Sequence, residues 1–274
     1  MSNRMEGLRR DFSVDDLEAV AQEFGVKGTV AVQARQTLTE TDWLLDIAED
    51  SSLIQGVVGW VPLIERNVER HLDRLASRSK FRGVRHVLHD EPDPHYTSRA
   101  DFNAGVTKLK RFGLTYDLLI FAEHLPQTID FVDLHPNQIF VVDHIAKPRI
   151  FSGHIEIWAK HLHALSERRN VFCKLSGMVT EADWTSWTQS QLQPYFDTVL
   201  SAFGSSRIMF GSDWPVLTLA SSYGRWIDAV AQMLAPLSDA EAENIMYRTA
   251  ERVYRLVSTQ ETLVRLDSLA ATKE

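Results

Sequence analysis

The sequence predicts an α/β fold, a (β/α)8 barrel that lacks its first strand, and three observations carry that expectation. Short β-branched or apolar runs alternate with longer amphipathic stretches along nearly the whole chain. The runs are almost continuously apolar, as parallel strands covered on both faces must be, and do not alternate like half-wet antiparallel strands. They start at about Thr29, Ile54, Phe81, Thr115, Ile139, Val171 and Arg207, which spaces them 24 to 36 residues apart, the size of one strand-helix unit.

The intervening helices have readable ends. Ser13-x-x-Asp16 and Thr39-x-x-Asp42 are capping-box patterns, in which a hydroxyl accepts from a free backbone N–H and an acid suits the positive helix end. Phe12, Leu17, Val20, Ala21 and Phe24 then share one face, and Gly25 supplies a left-handed stop. Ser238-x-x-Glu241 opens a last long helix to about Leu256. The tail over 257–274 is thinner in apolar residues and reads from Ser258 as a loosely docked helix. No Pro/Gly/Ser linker divides the chain, so 1–274 reads as one domain.

Strand-helix alternation leaves a doubly wound sheet or a closed barrel. No GxGxxG or GxxxxGK[ST] follows a strand, which removes the usual reason for the open sheet. Polar residues instead sit at the ends of several strands, where a barrel collects its site: Arg85, His86, Asp143, His144, Lys174 and Asp213. Seven strands are counted where such a barrel needs eight, so the chain is expected to enter at its first helix.

Composition narrows the function. With 29 basic and 37 acidic residues the net charge is −8, which argues against nucleic acid or an anionic membrane as the main partner. The one cysteine, Cys173, cannot form an internal disulfide, and no apolar run is long enough to span a membrane. A cytoplasmic protein acting on a small molecule is the expectation, with homo-oligomerisation open.

Each candidate residue has a functional and a plain structural reading. Asp213, in Phe210–Pro215 (FGSDWP), could be a general base, a metal ligand or the cap of the next helix, and Trp214-Pro215 behind it suits a walled pocket. His144, in Asp143–Pro148 (DHIAKP), sits at a strand top and could ligate a metal, move protons or be a satisfied core histidine. Arg85 and His86 lie on alternate faces of one strand end; Arg85 could fork onto a carboxylate of a ligand or of the protein. Lys174, in CKLSG, could enter the site or form an ion pair within the barrel, whereas Cys173 lacks the partners of a nucleophile. His89 and His95 follow in a loop where histidines are ordinarily solvated, and Trp184 and Trp187 could line a lid or cover a barrel edge. HExxH and GxSxG are absent.

Taken in order, LRRDF, TVAVQARQ, GVVGWV, RGVRHVLHDEPD, VVDHIAKP, CKLSGMVTEADW and IMFGSDWPV resemble the amidohydrolase-related family, over almost all of the chain. Within it the sequence looks like the sugar-acid lactonases, which resemble in turn the 2-pyrone-4,6-dicarboxylate lactonases. The resemblance implies an amidohydrolase-type barrel and hydrolysis of a sugar-acid lactone, a cyclic carboxylic ester. It implies Asp213 as general base and then acid, with His144 beside it. Arg85, His86, Lys174 and Trp214 would bind the substrate. The family's first strand carries a His-x-His pair that this sequence lacks, so one divalent metal, zinc or manganese, would have only His144 and Asp213 as ligands here. Two alternatives stand beside the lactonase: a metal-dependent amidohydrolase or decarboxylase on the same barrel, and a degenerate non-catalytic barrel.

Overall fold

In this computed structural model, which describes residues 3–256, seven strands form one parallel sheet in chain order. They are β1 (Thr29–Val32), β2 (Ile54–Gly59), β3 (Phe81–His86), β4 (Thr115–Leu118), β5 (Phe140–Val142), β6 (Val171–Leu175) and β7 (Ile208–Phe210). Each begins within one residue of an expected apolar run. Among the described residues, β1 and β7 do not pair with each other.

Parallel neighbours need long crossovers, and helices supply them. These are α1 (Val14–Glu23), α2 (Leu38–Asp50), α3 (Val68–Ala76), α4 (Ala100–Leu109), α5 (Leu125–Asp133), α6 (Glu156–Ser166), α7 (Met178–Glu181), α8 (Gln189–Phe203), α9 (Tyr223–Leu234), α10 (Asp239–Glu243) and α11 (Thr249–Tyr254). Ser13 and Asp16 form the expected capping box of α1, and Gly25 follows the helix at φ +66°. The start of α2 corrects the sequence reading: Thr37, not Thr39, is the cap, its hydroxyl accepting from the Glu40 N–H. Glu40 explains the two-residue shift, because its carboxylate accepts from the Ala34 and Arg35 N–H groups and ties down the incoming loop. Asp42 is left to pair with Arg74 at 2.5 Å. The Ser238–Glu241 box opens α10 as expected. A π-turn at Asn244–Arg248 joins α10 to α11, which ends at Arg255 in the left-handed conformation. The expected helix after Ser258 lies outside the described residues.

The main core lies between the sheet and its helices, where Phe102, Tyr116, Phe131 and Phe140 pack ring against ring at 5.5–6.1 Å. A second cluster fills the sheet's inner face. Val30, Val32, Val58, Val141, Phe172 and Met209 meet Ala250, Val253, Tyr254 and Leu256 from α11 and its end. Strand register explains what else faces inward: Arg85 pairs with Asp117, Asp117 with Val141 and Val141 with Phe172, one row across β3–β6. Polar members of that row cannot face apolar neighbours alone, and their partners define the site.

Candidate active site

A chain of charges runs through the inside of the sheet. Lys174 Nζ lies 2.6 Å from Asp117 Oδ2 and 2.6 Å from Asp143 Oδ1. Arg85 donates to Asp143 Oδ2 at 2.8 Å and also to the Gln33 carbonyl. The Tyr254 hydroxyl donates to Asp117 Oδ2 at 2.7 Å, and Thr115 donates to Oδ1 at 3.1 Å. Two carboxylates and two cations thus cancel where both carboxylates are fully buried. Burial pushes the Asp117 carboxyl up, against the pull of Lys174. Burial pushes Asp143 the same way, but Lys174 and Arg85 outweigh it and hold that carboxyl low. Burial would lower the Lys174 ammonium, and the two carboxylates hold it raised instead.

Next to this network, the turn after β5 aims His144 at the neighbouring strand ends. His144, Ile145, Ala146 and Lys147 all have positive φ, between 45° and 60°. Such a run costs on the order of 1 kcal/mol or more per residue and persists only where its surroundings impose it. The Trp158 indole N–H donates to the Ile145 carbonyl at 2.8 Å and pins the turn. His144 Nδ1 lies 2.9 Å from Ser176 Oγ, and its Nε2 lies 3.7 Å from Asp213 Oδ1. Gly177 makes room: it sits at φ +66°, and a Cβ there would fall 2.6 Å from the His144 Cβ. Asp213 is also left-handed, at φ 57°.

Side chains at His144 and Asp213 remain 12% and 15% exposed, enough to meet a small molecule, while Ser176 is buried. Burial lowers the His144 pKa, partly opposed by Asp213 and Asp143, so the ring is neutral at pH 7 and carries one donor and one acceptor nitrogen. Lys147 and Arg85 add positive potential around it. At the rim, Glu181 Oε1 stands 3.9 Å from Lys147 Nζ, and burial raises its carboxyl against Lys147, with Asp213 reinforcing the rise. Two carboxyl groups, Asp213 and Glu181, therefore border one mouth.

The sequence candidates distribute unevenly. His144, Asp213, Arg85 and Lys174 converge on this region, Arg85 and Lys174 through the buried carboxylates. His86 points the other way: its Nδ1 accepts from the Trp60 indole at 3.1 Å, its Nε2 lies 2.5 Å from Glu91, and its ring stacks on Tyr96. Trp214 meets Phe12 edge to face at 5.4 Å and is half-buried. The Asp213 side chain caps no helix, since the following 3-10 turn has Pro215 at its cap position without a side-chain bond. Cys173 is buried, which pushes its thiol up and leaves it unreactive. His89 is a correction: it is not solvated but stacks on Phe121 at 4.5 Å with its side chain 11% exposed, whereas His95 is exposed. Trp187 is buried, bonded to the Ala220 carbonyl and covered by Arg225 at 3.7 Å. Asp117, Ser176, Glu181 and Tyr254 were not singled out from the sequence. A charged residue inside the apolar run TYDLLIF was the one available signal, for Asp117.

The donor set does not make a metal site by itself. His144 and Asp213 supply two donors, and no group of three or more His, Cys, Asp or Glu among the described residues could hold an ion. Zinc takes three or four protein ligands.

Comparison with known proteins places this geometry. The amidohydrolase family model matches residues 1–256. An L-fucono-1,5-lactonase of Burkholderia ambifaria is 37% identical over 226 residues, covering 81% of this chain and 78% of the relative. An L-fucono-1,5-lactonase of Burkholderia multivorans is 36% identical over 266 residues, covering 91% and 88%. A crystal structure of an amidohydrolase from Burkholderia multivorans with bound zinc superposes with a TM-score of 0.89 at 36% identity, covering 93% of each chain.

Proposed function

We infer, from the premise that this chain belongs to the amidohydrolase family, that it hydrolyses a sugar-acid lactone, a cyclic carboxylic ester. The relatives named L-fucono-1,5-lactonase point to a six-membered 1,5-lactone of a deoxy sugar acid as the substrate. One observation of geometry carries the mechanism: the Asp213 carboxylate and His144 Nε2 stand 3.7 Å apart at the strand ends, close enough for one reacting oxygen beside the pair to bond both.

In the proposed reaction, Asp213 takes a proton from water as the water oxygen attacks the lactone carbonyl carbon. The tetrahedral oxyanion forms with the His144 ring as its hydrogen-bond donor, Lys147 being the nearby cation. Collapse breaks the ring C–O bond, and the departing alkoxide takes a proton from Asp213 or from Glu181, whose raised carboxyl suits an acid. Atoms balance: one water is added, and a hydroxy acid leaves. Ser176 holds the plane of His144 through Nδ1. Arg85 and Lys174 hold Asp143, and with it the turn that presents His144. No step runs through a metal, because the described residues do not form a site for one.

The test is a substrate panel. The full chain should release acid from a 1,5-lactone of a sugar acid and leave simple amides and aromatic carboxylic acids untouched. Release of ammonia or carbon dioxide from those alternatives, with no lactone opening, would replace this reading by the amidohydrolase or decarboxylase one.

A further inference from the structure

At the end of the strands opposite the mouth, a cavity of about 400 Å3 opens between the starts of β4–β6 and α11. Lys110, Arg252 and Arg255 line it, and among the described residues no acidic side chain does. That is a local inversion of charge in a chain of net −8. Among the described residues neither arginine pairs with a carboxylate: Arg252 donates to the Ser206 carbonyl and Arg255 to the Gly113 carbonyl, so each keeps further N–H donors. Arg82 nearby is lowered by burial first and by the Arg255 charge second.

A second, independent observation lies in the same cavity. Gln138 is 4% exposed, and its amide nitrogen donates to the Leu114 carbonyl at 2.8 Å and the Ile139 carbonyl at 3.0 Å. Those two acceptors fix the orientation of the amide. Among the described residues its Oε1 is left buried without a donor. A buried acceptor without a partner costs about 1–3 kcal/mol, and a ligand hydroxyl would remove that cost. Phe172 and Leu114 add apolar wall for a carbon skeleton.

We propose that this cavity binds a small hydroxylated organic oxyanion. Its carboxylate or phosphate lies against Arg252 and Arg255, and one of its hydroxyls donates to Gln138 Oε1. Guanidinium forks suit both anions. The site stands apart from the mouth and does not rest on the lactonase reading.

The test is calorimetric titration of the full chain with gluconate, glucose 6-phosphate and neutral glucose. At least one acid should bind saturably and glucose should not; the tighter acid identifies the anion. Losing both guanidiniums in Arg252→Gln/Arg255→Gln should weaken that binding by about tenfold or more, the scale of one charge-assisted hydrogen bond. Arg252→Lys/Arg255→Lys should retain part of it, and Asp213→Asn should leave it unchanged. Two results overturn the proposal: neither acid binding better than glucose, or the Gln double variant binding as well as the natural chain. An acid lost on Asp213→Asn but kept in the Gln double variant would place it in the mouth instead.

Discussion

Replacing Lys174 by Met removes the cation that two buried carboxylates share. Lys174 Nζ stands 2.6 Å from both Asp117 and Asp143, and Arg85 then remains as the one cation for two fully buried acids. Breaking a buried ion pair by deleting one partner costs about 3–5 kcal/mol, because the charge left behind keeps its desolvation penalty. For a chain of this size that is a fall in Tm on the order of 10 °C. The cost should also depend on pH. Burial already raises the Asp117 carboxyl, and without Lys174, which opposes that rise, it goes higher. A carboxyl whose folded pKa lies above its unfolded value binds more protons when folded, so acidification favours the folded variant. The deficit should therefore be largest near pH 8 and shrink toward pH 5, and Asp117→Asn in the same chain should recover part of it. Thermal melts of the natural chain, Lys174→Met and the double variant across that range provide the check. A deficit below about 1 kcal/mol, or one that grows on acidification, would refute the buried-network account.

Two further outcomes follow from the mouth. Ser176→Ala leaves His144 Nδ1 without its 2.9 Å partner, and should lower kcat by about tenfold, the worth of one hydrogen bond, with KM little changed and a shifted pH profile. An unaltered profile would assign Ser176 to packing alone. His89, lowered to about 4 by burial first and the Lys147 charge second, is neutral in the fold. Its depressed pKa means the unfolded chain binds more protons below about pH 6.5. Stability linked to it is thus present above that pH and lost as pH falls toward 4. His89→Phe, which can keep the stack on Phe121, should flatten that acid limb, measured by melts between pH 7 and 4.

Strand positions were legible because a buried parallel strand must be apolar on both faces, so Ile54–Gly59 or Val171–Leu175 can be read without knowing what covers it. Partnerships were not. Lys174 and Asp117 are 57 residues apart in sequence, and only the register of β4 against β5 and β6 brings them together. His144 and Asp213 could be picked out as candidates from their places at strand ends, but what aims His144 is a left-handed turn without a glycine, which no local signal announces. Gly177 illustrates the same gap: its need to lack a Cβ arises from His144, on another strand's loop. Thr37 displaced Thr39 as a cap because Glu40 bonds two loop N–H groups, a local competition that a capping pattern does not weigh.

The central claim is that Asp213 is the base that opens a lactone. It is tested most directly by kcat/KM for a sugar-acid 1,5-lactone in the natural chain and in Asp213→Asn, with both melting curves recorded to show the fold intact. The account predicts lactone opening by the natural chain and a loss of roughly 10²–10⁴-fold in the variant, the scale of acid-base catalysis. Turnover within a few-fold of the natural chain in a folded Asp213→Asn would contradict it.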